Sequence, residues 1–236
     1  MRLCCIVLLS LVIAACGRQT PAPVINAWLD PGARSSDYIV AKGDTIYSIA
    51  WQFGLDYTAL ARANHLKSPY PIYPGQHLKM TNIPRTAARP APEPEYPIIA
   101  PARKNPQQPS QKQPPVTTWQ WPANGKLVQG YSPALAGNAG INIAGRLGSP
   151  VRSGLAGEVV YCGNGIRGYG NLIIIKHNRH YLSAYAYNQK LLVQLGQQVS
   201  AGEPIATMGR DSAGQVMLHF EIRYDGRPVD PLRFLR

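Results

Sequence analysis

Hydrophobic and polar positions are patterned in two separate stretches, residues 37–80 and 121–236. The first stretch opens with "YIVAKGD", whose alternation predicts a short strand that ends at Gly43. Asp44 or Thr45 can cap the helix that follows, because their side-chain oxygens accept hydrogen bonds from free backbone amides. The apolar residues of that helix recur at the spacing of one helix face: Ile46, Ile49, Ala50 and Phe53.

A glycine, Gly54, ends this helix, and "YTALARANH" predicts a second short helix with Leu60 and Ala61 facing inward. The segment "IYPGQHLKM" then turns at Pro74-Gly75 and returns as a strand. The first stretch is therefore predicted to be a small α+β module with the order βααβ. A unit of this size is only marginally large enough to fold alone.

The second stretch has the period of strands rather than helices. Val, Ile and Tyr alternate in "GEVVYCG", "GNLIIIKH", "HYLSAYAY" and "VMLHFEIR", and Gly, Asn and Pro bound these runs. No long helix is indicated. The pattern predicts an all-β, mostly antiparallel domain over residues 121–236.

Three further segments complete the predicted organisation. Residues 1–15 have one basic residue and then an apolar run, which is typical of a secretory signal and too short to span a membrane comfortably. Residues 81–120 are rich in Pro, Ala and Gln and predict an extended linker. Residues 16–36 predict a shorter tether.

The net charge indicates which classes of partner the chain suits, and the cysteine content shows whether disulfides can form. The formal net charge of +12 suits an anionic partner, such as nucleic acid, a membrane surface or an acidic wall polymer, although a general surface effect is an alternative. An export signal argues against nucleic acid. Cys4 and Cys5 would leave with the signal, so that only Cys16 and Cys162 remain and no disulfide framework is available. Cys162 is predicted to be a small buried residue of a strand.

The candidate chemistry lies in "VMLHFEIR", where Met217 and His219 share one face of the strand. A His-x-His pair would place two imidazoles on one metal, but here the first position is a thioether. His177 and His180 near a hairpin tip are an alternative ligand pair, and exposed turn histidines are the favoured interpretation.

The first stretch resembles a LysM domain in a set of motif residues: Tyr38, Val40, Gly43-Asp44-Thr45, Ile49-Ala50, Asn64 and Pro74-Gly75-Gln76. This resemblance implies binding to N-acetylglucosamine-containing glycans, here peptidoglycan. The implied sugar groove maps onto four residues: Gly43, Asp44, Thr45 and Ile72. Helix capping is the alternative role for Asp44 and Thr45.

The second stretch resembles a LytM, or lysostaphin-type, zinc endopeptidase domain through "AGINIAGRLGSPVRSGLAGEVVYCGNGIRGYGNLIIIKH", "AYAY", "GQQVSAGEPIATMG" and "LHFEIRYDGRPVDPLRFL". The resemblance implies that zinc ligands belong at 138, 142 and 219 and that assisting histidines belong at 187 and 217. This chain has Asn138, Asn142, Tyr187, Met217 and His219 at those positions.

Only His219 retains the chemistry of an active member. A catalytic zinc usually has three protein ligands, and a neutral amide lacks the charge of a carboxylate and the donor strength of an imidazole. Neither tyrosine nor methionine titrates usefully near neutrality, so no general base remains. We therefore predict no catalytic residue, no metal and no cofactor. In an active member these five positions line the substrate cleft, and we call the same region of this chain the old cleft. It is predicted to persist as a groove that holds a peptide, and a vestigial groove is the alternative.

Ile13-Ala14-Ala15 followed by Cys16 resembles a bacterial lipobox, which implies lipidation of Cys16; Gly17 implies sorting to the outer membrane, facing the periplasm. An ordinary cleaved signal is the alternative.

Together the segments resemble the murein hydrolase activator lipoproteins. This resemblance implies that the groove engages a periplasmic N-acetylmuramoyl-L-alanine amidase, so that septal peptidoglycan is split and daughter cells separate. The alternatives are a structural tether between outer membrane and peptidoglycan, and a zinc endopeptidase with an unorthodox ligand set.

Overall fold

The computed structural model describes residues 37–81, 83, 119–132 and 139–236. The predicted signal peptide, the lipidation residue Cys16 and most of the predicted linker lie outside the described residues. Among the residues that are described, none of the helices has the length and apolar character needed to cross a membrane.

The first module has the predicted order, with four elements: β1 (Asp37–Ile39), α1 (Ile46–Phe53), α2 (Tyr57–Ala63) and β2 (His77–Lys79). Strands β1 and β2 pair in antiparallel fashion. Thr45 caps α1 with a reciprocal pair of bonds: Ser48 N donates to Thr45 Oγ1 at 3.1 Å, and Thr45 N donates to Ser48 Oγ at 2.9 Å. Gly54 ends the helix in the left-handed conformation with φ of 61°. The small α+β prediction is confirmed.

In its described residues, the second domain has ten strands and one short 3-10 helix, Pro231–Arg233. The strands are β3 (Lys126–Gln129), β4 (Ile141–Ala144), β5 (Pro150–Arg152), β6 (Gly157–Gly163), β7 (Asn171–Lys176), β8 (Tyr181–Leu191), β9 (Gln198–Val199), β10 (Pro204–Arg210), β11 (Val216–Tyr224) and β12 (Arg227–Val229). They form one sheet whose main order is β3-β4-β11-β10-β8-β7-β6-β9, with antiparallel pairings between these strands. The all-β, mostly antiparallel prediction is confirmed.

Strand β11 is central to this sheet, and its two faces have different surroundings. It pairs with β4, β8, β10 and β12. Leu218, Phe220 and Ile222 point into a hydrophobic core together with Ile143 and Tyr185 from neighbouring strands. The alternate residues of β11 face the opposite side of the sheet because side chains alternate along a strand. Those residues are Met217, His219, Glu221 and Arg223.

The opposite side of the sheet is covered by the first module. One continuous cluster of buried side chains joins α1 and α2 to the sheet. The members from the sheet domain are Val160, Tyr161, Ile166, Tyr169, Leu172, Ile174, Leu182, Ala184 and Ala186. Ala186 and Ala184 are the β8 partners of His219 and Glu221. The βααβ module therefore packs on the same face of the sheet that carries His219.

Candidate functional site

His219 is held between two protein groups. Its Nδ1 lies 2.7 Å from Oδ1 of Asn142, which comes from the adjacent strand β4. Its Nε2 lies 3.0 Å from Oε1 of Glu221, two residues further along β11. Asn142 also donates from Nδ2 to Oε1 of Gln129 at 2.7 Å. Both imidazole nitrogens are thus in hydrogen-bonding contact with neighbouring side chains.

These contacts do not suit a zinc ion. Two ligand atoms bound to the same tetrahedral zinc at about 2.0–2.1 Å are about 3.3 Å apart. The direct contact of 2.7 Å between His219 and Asn142 leaves no place for an ion between the two atoms. The amide of Asn142 is neutral, and the described residues contain no group of three or more His, Cys, Asp or Glu side chains that could hold a metal. The residues present do not fit the zinc that the resemblance to LytM peptidases implies.

Two further predicted groove residues, Tyr187 and Met217, lie near this histidine. The ring centres of Tyr187 and His219 are 5.8 Å apart. Met217 lies on the same face of β11 as His219. Tyr187 has a positive φ of 63°. Burial, followed by the negative charges of Asp211 and Glu221, raises the pKa of Tyr187 to about 12. The phenol is therefore neutral at pH 7 and cannot act as a base there. Asn138 lies outside the described residues.

A buried network extends this site towards the first module. Glu221 accepts hydrogen bonds from Tyr169 Oη at 2.7 Å and from Nε and Nη2 of Arg223, both at 3.1 Å. Arg223 in turn donates from Nη1 to the backbone oxygen of Trp51 at 2.7 Å. Its guanidinium carbon lies 3.6 Å from the centre of the Trp51 ring. The network runs without interruption from Asn142, through the histidine, to helix α1.

Burial and pairing fix the charges of this network. Burial alone would raise the pKa of Glu221, but the charge of Arg223 and the hydrogen bond from His219 lower it to about 2. Glu221 is therefore ionised at neutral pH, although its side chain is fully buried. Tyr169 is buried beside it, and burial, followed by the charge of Glu221, raises the pKa of its phenol far above the ordinary value. Glu221 and Arg223 together form a buried ion pair.

The sequence predictions did not include Tyr169, Glu221, Arg223 or Trp51. For the two β11 residues a signal was present, because the alternation that places Met217 and His219 on one face continues to 221 and 223. Charged residues at those positions of a buried strand indicate a paired network. Trp51 has no comparable signal, because its contact with Arg223 joins residues that are distant in sequence.

The predicted groove residues differ in accessibility. Met217 and His219 are buried, at 6% and 3% exposure, whereas Asn142 and Tyr187 are partly exposed. Any partner that reaches this site therefore first meets the two partly exposed residues.

The predicted glycan residues lie around the first turn of the LysM-like module. Gly43 is exposed with φ of 90°, and space is open where a side chain would begin. The carboxylate of Asp44 accepts hydrogen bonds from Tyr38 Oη and Ala41 N, both at 2.8 Å, so it stabilises the turn as Thr45 stabilises the helix. Ile72 is partly buried against the shared hydrophobic cluster.

Two backbone bonds join the sides of this predicted sugar groove. Val40 N donates to Gln76 O at 2.9 Å, and Gly75 N donates to Val40 O at 2.8 Å. They hold the loop that follows Ile72 against the end of β1, close to the turn that carries Gly43.

The two hairpin histidines make separate structural contacts. His177 is partly buried, with Nδ1 2.8 Å from Ala156 O and Nε2 2.7 Å from Ser183 Oγ, and burial lowers its pKa to about 4. His180 is more exposed, and its Nδ1 lies 2.8 Å from Asp225 Oδ1. The prediction of an exposed turn histidine thus describes His180 and is wrong for His177.

Cys162 is half-buried, its Sγ lies 3.2 Å from Val193 O, and burial raises the pKa of its thiol.

Comparison with known proteins identifies both domains. The model of peptidase family M23 matches residues 136–231, and the LysM domain model matches residues 38–81. The lipoprotein NlpD/LppB homolog of Pseudomonas aeruginosa is 42% identical, and the alignment covers 95% of this chain and 88% of that protein. The uncharacterized lipoprotein YgeR of Escherichia coli is also 42% identical, with 86% of each chain covered.

A third relative carries a functional name. The murein hydrolase activator NlpD of Escherichia coli is 36% identical, and the alignment covers 85% of this chain and 68% of that protein. These relatives extend across both domains and beyond them. The chain belongs to the NlpD family of lipoproteins and combines a LysM domain with a domain of peptidase family M23.

Proposed function

We propose that this chain is a cell-wall-binding lipoprotein that activates a murein hydrolase, a periplasmic N-acetylmuramoyl-L-alanine amidase, and does not itself cut peptidoglycan. The observation that carries the proposal is the direct contact of His219 with Asn142 and Glu221 at both ring nitrogens. The name of the Escherichia coli relative, murein hydrolase activator, supports the same conclusion.

Hydrolysis of a peptide bond by an M23 domain would need a bound metal and a group that moves a proton. Asn142 and Met217 supply neither, and Tyr187 stays protonated at neutral pH because its pKa lies near 12. His219 is already engaged on both sides. The zinc endopeptidase alternative is therefore not favoured.

Activation requires only binding. A partner whose active conformation fits this surface better than its inactive conformation is shifted towards the active one. We place the contact at the old cleft, with Asn138, Asn142, Tyr187, Met217 and His219 as its residues. An amide, a phenol and a thioether offer hydrogen bonds and adaptable apolar contact for a peptide segment of the amidase.

The other segments bring the activator to its place of action. We propose that the LysM domain binds peptidoglycan glycans through Gly43, Asp44, Thr45 and Ile72, and that lipid on Cys16 anchors the chain in the outer membrane, facing the periplasm. The names of two relatives as outer membrane antigenic lipoprotein B support this location. Amidase activation at the division septum would then separate daughter cells.

The experiment fills the cleft with a bulky side chain. Asn142→Trp places an indole beside His219, and losing a central contact lowers affinity more than about tenfold. Dye release from labelled peptidoglycan by the amidase should therefore fall at least about tenfold at subsaturating activator. Leu195→Trp adds the same ring at a position 60% exposed in the turn after β8, and this control should activate normally. A folded Asn142→Trp variant that activates fully would overturn this assignment of the contact.

A further inference from the structure

The LysM domain of this chain covers the same face of the sheet to which the amidase contact is assigned. Arg223 and Glu221 lie next to His219 along β11, and the backbone and ring of Trp51 lie directly over Arg223. The two charged residues are 1% and 0% exposed. Helix α1 thus closes one end of the surface that begins at the old cleft.

Further contacts surround this central one. Tyr57 Oη donates to Arg179 O at 3.3 Å, and Lys176 Nζ donates to Tyr47 Oη at 3.5 Å. At the β11–β12 turn, Gly226 packs so tightly that an added Cβ atom would lie 2.4 Å from the backbone oxygen of Leu55. The cover therefore meets the sheet domain through backbone and side chains on several sides.

The contact combines the apolar cluster that joins α1 and α2 to the sheet with several polar groups. It includes a buried ion pair, two tyrosine hydroxyls and a lysine, and these groups can be solvated when the two domains part. Interfaces between domains of one chain are usually more polar than permanent ones, and movement of the domains is expected unless the interface is large and hydrophobic. The sequence supplies a long connection, because residues 84–118 lie between the described parts of the two domains.

We propose that the LysM domain is a removable cover, and that it competes with the amidase for the face of the sheet that carries His219, Glu221 and Arg223. This inference rests on the proposed function and adds its regulation. In the covered state the amidase reaches, of the four cleft residues that the structure describes, only the partly exposed Asn142 and Tyr187. In the open state the buried network and the neighbouring alanines of β8 also become available.

The expected size of the effect follows from the population of the open state. A minor conformation is typically populated at about 0.1–10%. The apparent affinity of the partner is reduced by that fraction. At an open fraction of 1–10%, full opening would lower the Kd for the amidase by about 10–100-fold.

The substitution Gly226→Asn tests this proposal, because it is designed to push the LysM domain away from the sheet. Gly226 has φ of 77°, a conformation that asparagine tolerates better than other residues, so the turn itself is preserved. The new Cβ would collide with Leu55 O and Asp56 N of the LysM domain, which are backbone atoms and cannot rotate away. Gly196→Asn is the matched control, because Gly196 has φ of 82° and no atom lies within 4 Å of an added Cβ.

Three measurements on the full mature chain decide the outcome. We expect Gly226→Asn to increase the radius of gyration in solution scattering, to bind amidase about 10–100-fold more tightly and to pull down with peptidoglycan as wild type does. Gly196→Asn should match wild type throughout. An open Gly226→Asn variant without tighter amidase binding would overturn the competition, and so would a variant that stays docked. If no form binds or activates an amidase while scattering reports opening, the proposed function itself is wrong.

Discussion

Replacing Glu221 by glutamine tests the buried network that holds His219 in place. The carboxylate accepts hydrogen bonds from His219, Tyr169 and Arg223 in a site without solvent exposure. Gln keeps the shape but removes the charge. It leaves the guanidinium of Arg223 buried without its counter-ion, and it turns an amide group towards donors.

The expected loss of stability follows from two values, one from the lowered pKa of Glu221 and one from the general cost of breaking a buried ion pair. Lowering the pKa of Glu221 from an ordinary value of 4.5 to about 2 corresponds to about 3 kcal/mol. Removing one partner of a buried ion pair costs about 3–5 kcal/mol. We therefore expect Glu221→Gln to lower the free energy of unfolding by about 3–5 kcal/mol.

The pH dependence has a defined sign. Because the pKa of Glu221 is lower in the folded state, its contribution is complete above about pH 4.5 and is lost as the pH falls towards 2. Between pH 7 and pH 3 the wild type should lose about 2 kcal/mol through this group, whereas the glutamine variant cannot. The stability difference between the two proteins should shrink by that amount.

Urea unfolding followed by circular dichroism at pH 7 and pH 3 measures both effects. Glu158→Gln is the matched control, because Glu158 pairs with Lys176 at 3.5 Å with its side chain 39% exposed, and such surface pairs contribute at most about 1 kcal/mol. The reasoning is refuted if Glu221→Gln is within about 1 kcal/mol of wild type at pH 7. It is also refuted if the difference is the same at both pH values.

Two further predictions concern other parts of the chain. His177 has a lowered pKa of about 4, so folding stability should decline as the pH falls from 6.5 to 4, by at most about 3 kcal/mol. His177→Asn should flatten that decline in urea unfolding, and an unchanged slope would contradict the assignment. Ile72→Ala should reduce retention of the chain on insoluble peptidoglycan several-fold if Ile72 lines the sugar groove. Ile39→Ala, at a position 59% exposed, should not, and equal retention of both variants would remove Ile72 from the groove.

Local signals predicted much of the fold. Thr45 and Gly54 mark the ends of α1, because a capping side chain and a left-handed glycine satisfy the free backbone groups there. Alternation of apolar residues predicted the strands of the second domain. The period of two also placed Met217 and His219 on one face, and the structure adds the direct contact with Asn142.

The long-range contacts were outside the reach of these signals. Arg223 and Glu221 are buried because another domain covers them, and that domain is separated from β11 by most of the chain. A proline-rich linker predicts two independent modules, so their packing had no local signature. His177 was misjudged for the same reason, since its burial comes from contacts with Ala156 and Trp119 on other segments.

Dye release from labelled peptidoglycan by wild-type chain and amidase, alone and together, tests the central claim most directly. The account predicts no release by the chain alone, low release by the amidase alone and strong release by the mixture. Release by the chain alone that disappears on His219→Ala would contradict the account, because it would show hydrolysis at the very site to which binding is assigned.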